Sequence, residues 1–330
     1  MLLDFLPAVL GSVAAAIATD VMTRRFAERL KDRGMVGVDV HKPERPEIPE
    51  GAGFAVIVGS AVGCAVLWLL NPGSYVIGFL GAASLGALVG ALDDKLDLGG
   101  VKKPLLTLAA ALPLIATGAV HPRPLLPVAG RARLFITISG ILPIYMAVVT
   151  NSVNMFDALN GMMPLSAAIA CASLTAVGLI TGSSATVSLS LLLIGALLAY
   201  YRYNRYPARV FSGNVGSMGI GAALASVPVF DGLEAFLLIS MLPFMISGFF
   251  LLSSVGGLKE RRQIGTRPVI VGKDGTIRAN PDLKAPITLV AILTLDRAKA
   301  EWEIVRETHY LTALSAILAV ITLLMFTPGW

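Results

Sequence analysis

Charge is scarce in this 330-residue chain: Asp, Glu, Lys and Arg make up 14% of it, against 55% hydrophobic residues and a mean hydropathy of +0.77. That scarcity excludes an ordinary soluble globule, in which about a quarter of residues carry charge. Cysteine is rarer still. Cys64 and Cys171 both fall inside apolar runs, which argues against a disulfide framework or a thiolate metal centre and leaves them as small packing residues. The three histidines, His41, His121 and His309, are too scattered to suggest a His-rich metal site. No period runs through the chain, so a repeat array is excluded as well.

What remains is the pattern of an all-α polytopic membrane protein. Apolar runs at 3–23, 54–70, 75–92, 105–120, 134–150, 163–180, 185–201, 217–229, 233–255 and 310–326 read as about ten transmembrane helices. Several are shorter than the roughly 20 residues that cross a bilayer core. The first run has no basic leader or small-residue cleavage site, so it reads as a span. With the amino terminus outside, every Lys and Arg except Arg123, Arg131 and Arg133 falls in an inner loop, the asymmetry of the positive-inside rule. The net charge of +5 and pI near 9.3 are thereby concentrated on the cytoplasmic face, where anionic headgroups or phosphate ligands would be met. Residues 1–330 form one membrane domain on this reading, with a cytoplasmic α/β insert at 256–309. Within the insert, 267–278 read as strand, turn and strand. Leu295, Ala298, Trp302 and Val305 recur at helical spacing with charged residues between them, as in a helix lying along the interface.

The polar residues cluster in the inner loops. Asp93, Asp94 and Asp97 end the third span and would crowd one patch, a cost relieved by a divalent metal or by Lys102 or Lys103. A charged helix end with exposed lysine partners is the plainer account of those acids alone. Asn151, Ser152, Asn154, Asp157 and Asn160 follow the fifth span without any Lys or Arg, offering oxygens to a hard cation such as Mg²⁺ or Mn²⁺. Capping would need one such residue, and this loop has several. Phe211-Ser212-Gly213-Asn214 precedes the eighth span, a turn and cap when read alone, and also a helix start that attracts phosphate beside a ring able to stack on a base. Arg261, Arg262 and Arg267 supply fork-shaped donors suited to a diphosphate, or to lipid headgroups.

Taken together, these loops resemble the polyprenyl-phosphate N-acetylhexosamine-1-phosphate transferases. The resemblance rests on residues 37–53, on Ala-Leu-Asp-Asp at 91–94, on Asn-Ser-Val-Asn-Met-Phe-Asp-Ala-Leu-Asn-Gly at 151–161 and on Phe-Ser-Gly-Asn-Val-Gly-Ser at 211–217. The first of these looks most like the dolichyl-phosphate GlcNAc-1-phosphotransferase branch, in an archaeal-like form. The resemblance implies transfer of a sugar-1-phosphate from a UDP-sugar, by default UDP-GlcNAc, to a polyprenyl or dolichyl phosphate, with release of UMP and with Mg²⁺ or Mn²⁺ as cofactor. It implies catalytic roles for Asp93, Asp94 and Lys103. Substrate contacts would come from Glu50, Asp97, Asn160, Phe211, Arg261, Arg262 and Arg267, and metal contacts from Asn154, Asp157 and Asn214. The family usually has Asp where this chain has Asn214, and an amide can coordinate Mg²⁺ but brings no charge. Membrane lipids are expected partners, nucleic acid is not, and a homodimer is an open arrangement. The expected location is a prokaryotic cell membrane, multi-pass, with the site on the cytoplasmic face. Two rivals stand beside this reading: a transporter or lipid flippase, and a catalytically silent relative that binds nucleotide or lipid.

Overall fold

The computed structural model describes residues 5–132, 138–259 and 264–327. Helices dominate it. In chain order they are α1 (Leu6–Asp32), α2 (Phe54–Leu70), α3 (Ser74–Leu96), α4 (Gly99–Thr107), α5 (Leu112–Ala116), α6 (Ile138–Phe156), α7 (Met162–Thr181), α8 (Ser184–Asn204), α9 (Gly213–Ser226), α10 (Glu234–Ser240), α11 (Leu242–Val255), α12 (Leu289–Leu293) and α13 (Glu301–Phe326). Three antiparallel two-stranded pieces join them: β1 (Val36–Val38) with β2 (Glu47–Pro49), β3 (Leu125–Leu126) with β4 (Gly130–Arg131), and β5 (Val269–Val271) with β6 (Ile277–Ala279).

Among the described residues, seven helical stretches are long and apolar enough to cross a membrane, or eight if α10 and α11, bent by 73°, count as one broken span. Phe54–Leu70 and Gly140–Phe156 are apolar but shorter. The stretch containing α9 is the most enclosed: 83% of its apolar window is buried, against 28% in α1 and in α13. A bilayer explains that contrast, because outer helices can present Leu and Ile to lipid while an inner one must pack on protein. Small residues make the inner packing possible. A Cβ on Gly90 of α3 would stand 2.1 Å from the Asn214 carbonyl oxygen, so glycine there lets α3 and α9 touch. The core is built from Phe79, Leu114, Met146, Phe156 and Tyr200, with Phe156 stacked on Phe244 at 3.9 Å between ring centroids.

The segment before the last span departs from expectation in one respect. β5 and β6 form the hairpin, with Val269 opposite Ala279 and Val271 opposite Ile277. No separate interfacial helix follows it: α13 starts at Glu301 and runs unbroken to Phe326. Leu295 and Ala298 precede that helix, and Lys299 instead bridges to Ile277 of β6. The expected apolar face is only partly kept: Val305 is buried, but Leu295 and Trp302 are exposed while Lys299 and Glu301 are buried, held by polar partners inside the fold.

Candidate functional site

Loops at one end of the bundle meet around the start of α9. Asp94, in the last turn of α3, accepts from the backbone N–H of Asn214 at 3.1 Å and of Val215 at 3.0 Å. It therefore caps α9 from a neighbouring helix, satisfying N–H groups that a helix start leaves open and setting negative charge against the positive end of the dipole. Asp97 ends α3 with φ of 51° and Gly99 follows with φ of 81°. This reversal brings α4, and with it Lys103, back beside α3.

Asp93 is held at both oxygens. Oδ1 accepts from the Leu98 N–H at 3.0 Å, and Oδ2 pairs with Lys103 Nζ at 2.8 Å. The same ammonium donates to Asn214 Oδ1 at 3.0 Å, and Asn154 Nδ2 donates to that oxygen at 2.8 Å and to Ser217 Oγ at 2.7 Å. Asp93 of α3, Lys103 of α4, Asn154 of α6 and Asn214 of α9 thus form one hydrogen-bonded cluster.

Beside it lies a second carboxylate. Asp157 follows α6 and takes a hydrogen bond from Ser212, whose Oγ in turn accepts from Tyr200 Oη at 3.1 Å. Burial pushes the Asp157 carboxyl up to about 6; the Ser212 bond opposes that shift and the charge of Glu50 adds to it. Glu50 is bridged to Phe211 in parallel fashion, with the Phe211 N–H donating to the Pro49 carbonyl at 2.8 Å. The Phe211 carbonyl accepts from Gly51 and Ala52 at 3.1 and 3.0 Å. Half-buried Phe211 is thus fixed by its backbone beside Glu50.

Asn160 is placed differently from expectation. It is only 5% exposed; its N–H donates to Glu301 Oε1 at 2.8 Å and its Nδ2 to Asp39 Oδ2 at 3.0 Å. Lys42 closes the ring, paired with Asp39 and with Glu301 Oε2 at 3.2 Å, its ammonium 4.9 Å from the centre of the Tyr206 ring. Burial alone would raise the Asp39 carboxyl, but the bonds from Lys42 and Asn160 outweigh it and hold the group below its ordinary range. Asp39 and Lys42 lie within the 37–53 segment but were given no role there, and Glu301 carries no motif. The available signal was an Asp three residues before a Lys in a loop of prolines, and a glutamate at the first position of a membrane helix.

Four carboxylates, Asp93, Asp94, Asp157 and Glu50, gather here with Lys103. Hard oxygens in excess of cationic charge suit a divalent cation, and desolvated Asp157 with the neighbouring Asn154 amide are the residues that fit one. Asn214 fits less well, since its Oδ1 already accepts from Lys103 and Asn154. Among the described residues no three His, Cys, Asp or Glu stand together as a metal centre. Arg267 is exposed ahead of β5, its carbonyl accepting from Asn280 Nδ2 at 2.8 Å. Arg261 and Arg262 lie outside the described residues.

Comparison with known proteins points the same way as this geometry. Residues 76–231 match the family described as Glycosyl transferase family 4. A Sulfolobus acidocaldarius protein, provisionally named a UDP-N-acetylglucosamine--dolichyl-phosphate N-acetylglucosaminephosphotransferase, is 27% identical over 257 residues, covering 74% of this chain and 78% of its own. A Bacillus subtilis protein, provisionally named an undecaprenyl-phosphate N-acetylglucosaminyl 1-phosphate transferase, is 25% identical over 61% of this chain and 56% of its own. A phospho-N-acetylmuramoyl-pentapeptide-transferase of Clostridium botulinum is 31% identical across a shorter stretch, 30% of this chain and 31% of its own.

Proposed function

We propose that this chain, whose residues 76–231 match glycosyl transferase family 4, transfers N-acetylglucosamine-1-phosphate from UDP-GlcNAc to a polyprenyl or dolichyl phosphate. A phosphate oxygen of the lipid would attack the β-phosphorus of the UDP-sugar. The bond from that phosphorus to the bridging oxygen breaks, UMP leaves with the oxygen, and a sugar–diphospho–lipid remains. The observation that carries this reading is the connected cluster in which Lys103 touches both Asp93 and Asn214.

Each residue of the cluster takes a role from its contacts. Asp93, fixed at both oxygens, orients the lipid phosphate; such a monoester is already largely ionised at neutral pH, so a strong base is unnecessary. Lys103 supplies positive charge to the diphosphate as negative charge moves onto UMP. Asp94 positions α9, and through it Asn214. Phe211 offers a stacking face for the uracil beside Glu50, and Arg267, with Arg261 or Arg262, meets the diphosphate from the hairpin side. Mg²⁺ or Mn²⁺ held at Asp157 and the Asn154 amide would neutralise diphosphate charge. Asp97, at the end of α3, and Asn160, from within its buried ring, would meet the substrate from the two sides of this cluster.

The chain is a multi-pass membrane protein. Counting the two shorter apolar helices and the bent pair as spans gives the ten-span arrangement, with the amino terminus outside and the site facing the cytoplasm of a cell membrane. The test is UMP release by the purified chain from a panel of UDP-sugars, with and without polyprenyl phosphate. Release that requires the lipid and is fastest with UDP-GlcNAc is the expected result. Lipid or nucleotide movement across a bilayer without UMP release, or binding without turnover, rejects the proposal.

A further inference from the structure

On the lipid-facing side of α1 and α8 a groove of about 450 Å³ runs toward the loop end of the bundle. Its wall is apolar, with Ile17, Val21 and Leu198 exposed, and its loop-end mouth is formed by Asp20 and Arg202. Above the groove the two helices are pinned by Ser12 Oγ, which donates to the Leu191 carbonyl at 2.7 Å. The mouth is an ordered structure. Asp20 pairs with Arg24, accepts from Tyr203 Oη at 2.7 Å and from Arg202 at 3.3 Å, while Arg24 Nε donates to Tyr203 Oη at 2.7 Å. Arg209 stacks over the Tyr203 ring at 4.9 Å and donates to the Arg202 carbonyl at 2.9 Å.

Two guanidinium groups thus pair with one carboxylate and a third stacks on the neighbouring Tyr203 ring, leaving an excess of two positive charges at the end of an apolar channel. The named bonds use only some of the five N–H donors that each guanidinium carries, and the Arg24 and Arg202 side chains are 61% and 65% exposed. Cations that only set topology could be mobile, yet these are clamped by Asp20 and Tyr203 at a fixed distance from the groove. An acid placed within a span is costly, and here its effect is to hold two arginines at one spot. We propose that this groove is a binding site for an anionic phospholipid, one alkyl chain along the α1/α8 wall and the headgroup phosphate on Arg24 and Arg202. A zwitterionic headgroup would bring its own ammonium against the excess positive charge, so the site discriminates by headgroup charge.

The test is native mass spectrometry of the delipidated full chain in detergent, titrated with phosphatidylglycerol or phosphatidylcholine. The expected result is one tightly retained phosphatidylglycerol, preferred by about tenfold. The preference should vanish in the Arg24→Gln/Arg202→Gln pair and fall in Arg202→Gln alone, whose exposed side chain is dispensable for packing. Leu198→Trp should weaken retention of both lipids by filling the groove without changing charge. Equal retention of the two lipids by the parent chain, or unchanged preference in the well-folded Arg202→Gln protein, overturns the proposal. Competition by soluble glycerol phosphate at the same concentration also overturns it, because the groove would then contribute nothing.

Discussion

Two lysines in this molecule sit among acids and amides, and the fold treats them differently. Lys42 is closed into a ring with Asp39, Asn160 and Glu301, in which every named partner is buried. Lys103 spans Asp93 and Asn214 in a cluster that continues to exposed Asp94 and Asp97. The closed ring ties the β1–β2 loop, the segment after α6 and the start of α13 into one frame. The two ammonium groups are similarly enclosed, with side-chain exposures of 15% for Lys42 and 18% for Lys103. What differs is the surroundings: the Lys42 ring is made of buried groups, whereas the Lys103 cluster reaches exposed carboxylates, so similar chemistry serves as a latch in one place and as a candidate reaction centre in the other.

Substitutions can break that comparison. The largest effect is expected from Asp93→Asn, which should slow UMP release about a thousandfold while leaving the unfolding temperature in detergent unchanged; a coincident loss of stability would make Asp93 another latch. Lys42→Met should do the reverse. Removing the one cation from a buried ring leaves Asp39 and Glu301 uncompensated, a cost of about 3 kcal/mol that thermal unfolding would report as a clear drop. If Lys42→Met is as stable as the parent, the ring does not act as a frame.

Smaller changes sharpen the boundary between the two clusters. Phe211→Ala should raise KM for the UDP-sugar about tenfold, the scale of one lost base-stacking face, with kcat affected far less; an unchanged KM would move the nucleotide elsewhere. The smallest effect is a pH dependence. The unfolded Asp157 carboxyl releases its proton near 3.8 and the folded one near 6. Stability of the metal-free protein should therefore fall as pH rises through that window and level off above it. Unfolding scans between pH 3.5 and 7 in the presence of a chelator check the sign, with Asp157→Asn expected to remove that slope.

Much of the architecture was legible in the residues. Each apolar run expected as a span has a helical counterpart, because in a bilayer a long apolar stretch has to satisfy its own backbone groups. Among the described residues, seven or eight helices are long and apolar enough to cross a membrane, since Phe54–Leu70 and Gly140–Phe156 are short. Asp93, Lys103, Asn154 and Asn214 were picked out by their motifs, and the structure makes them hydrogen-bonded neighbours. Asp94 was expected to act chemically, and the structure gives it a backbone cap. Asn160 was expected at the nucleotide, and its amide is bonded to Asp39. The helix expected near 295–306 exists only from Glu301, as the start of α13, because Lys299 is bridged to Ile277 and the buried bonds of Lys299 and Glu301 set which face turns inward.

Composition and the order of apolar runs by themselves determined that this is a helical membrane protein with its polar loops gathered at one end, since transfer of each run out of water depends on that run alone. Tertiary structure alone decided which lysine is ringed by buried partners and which cluster reaches exposed carboxylates, which aspartate caps α9, and where Arg202 at the end of α8 meets α1. Those outcomes depend on atoms brought together from positions such as 39 and 160, or 24 and 203, and no local pattern along the chain specifies the short distances at which such charges and hydrogen bonds act.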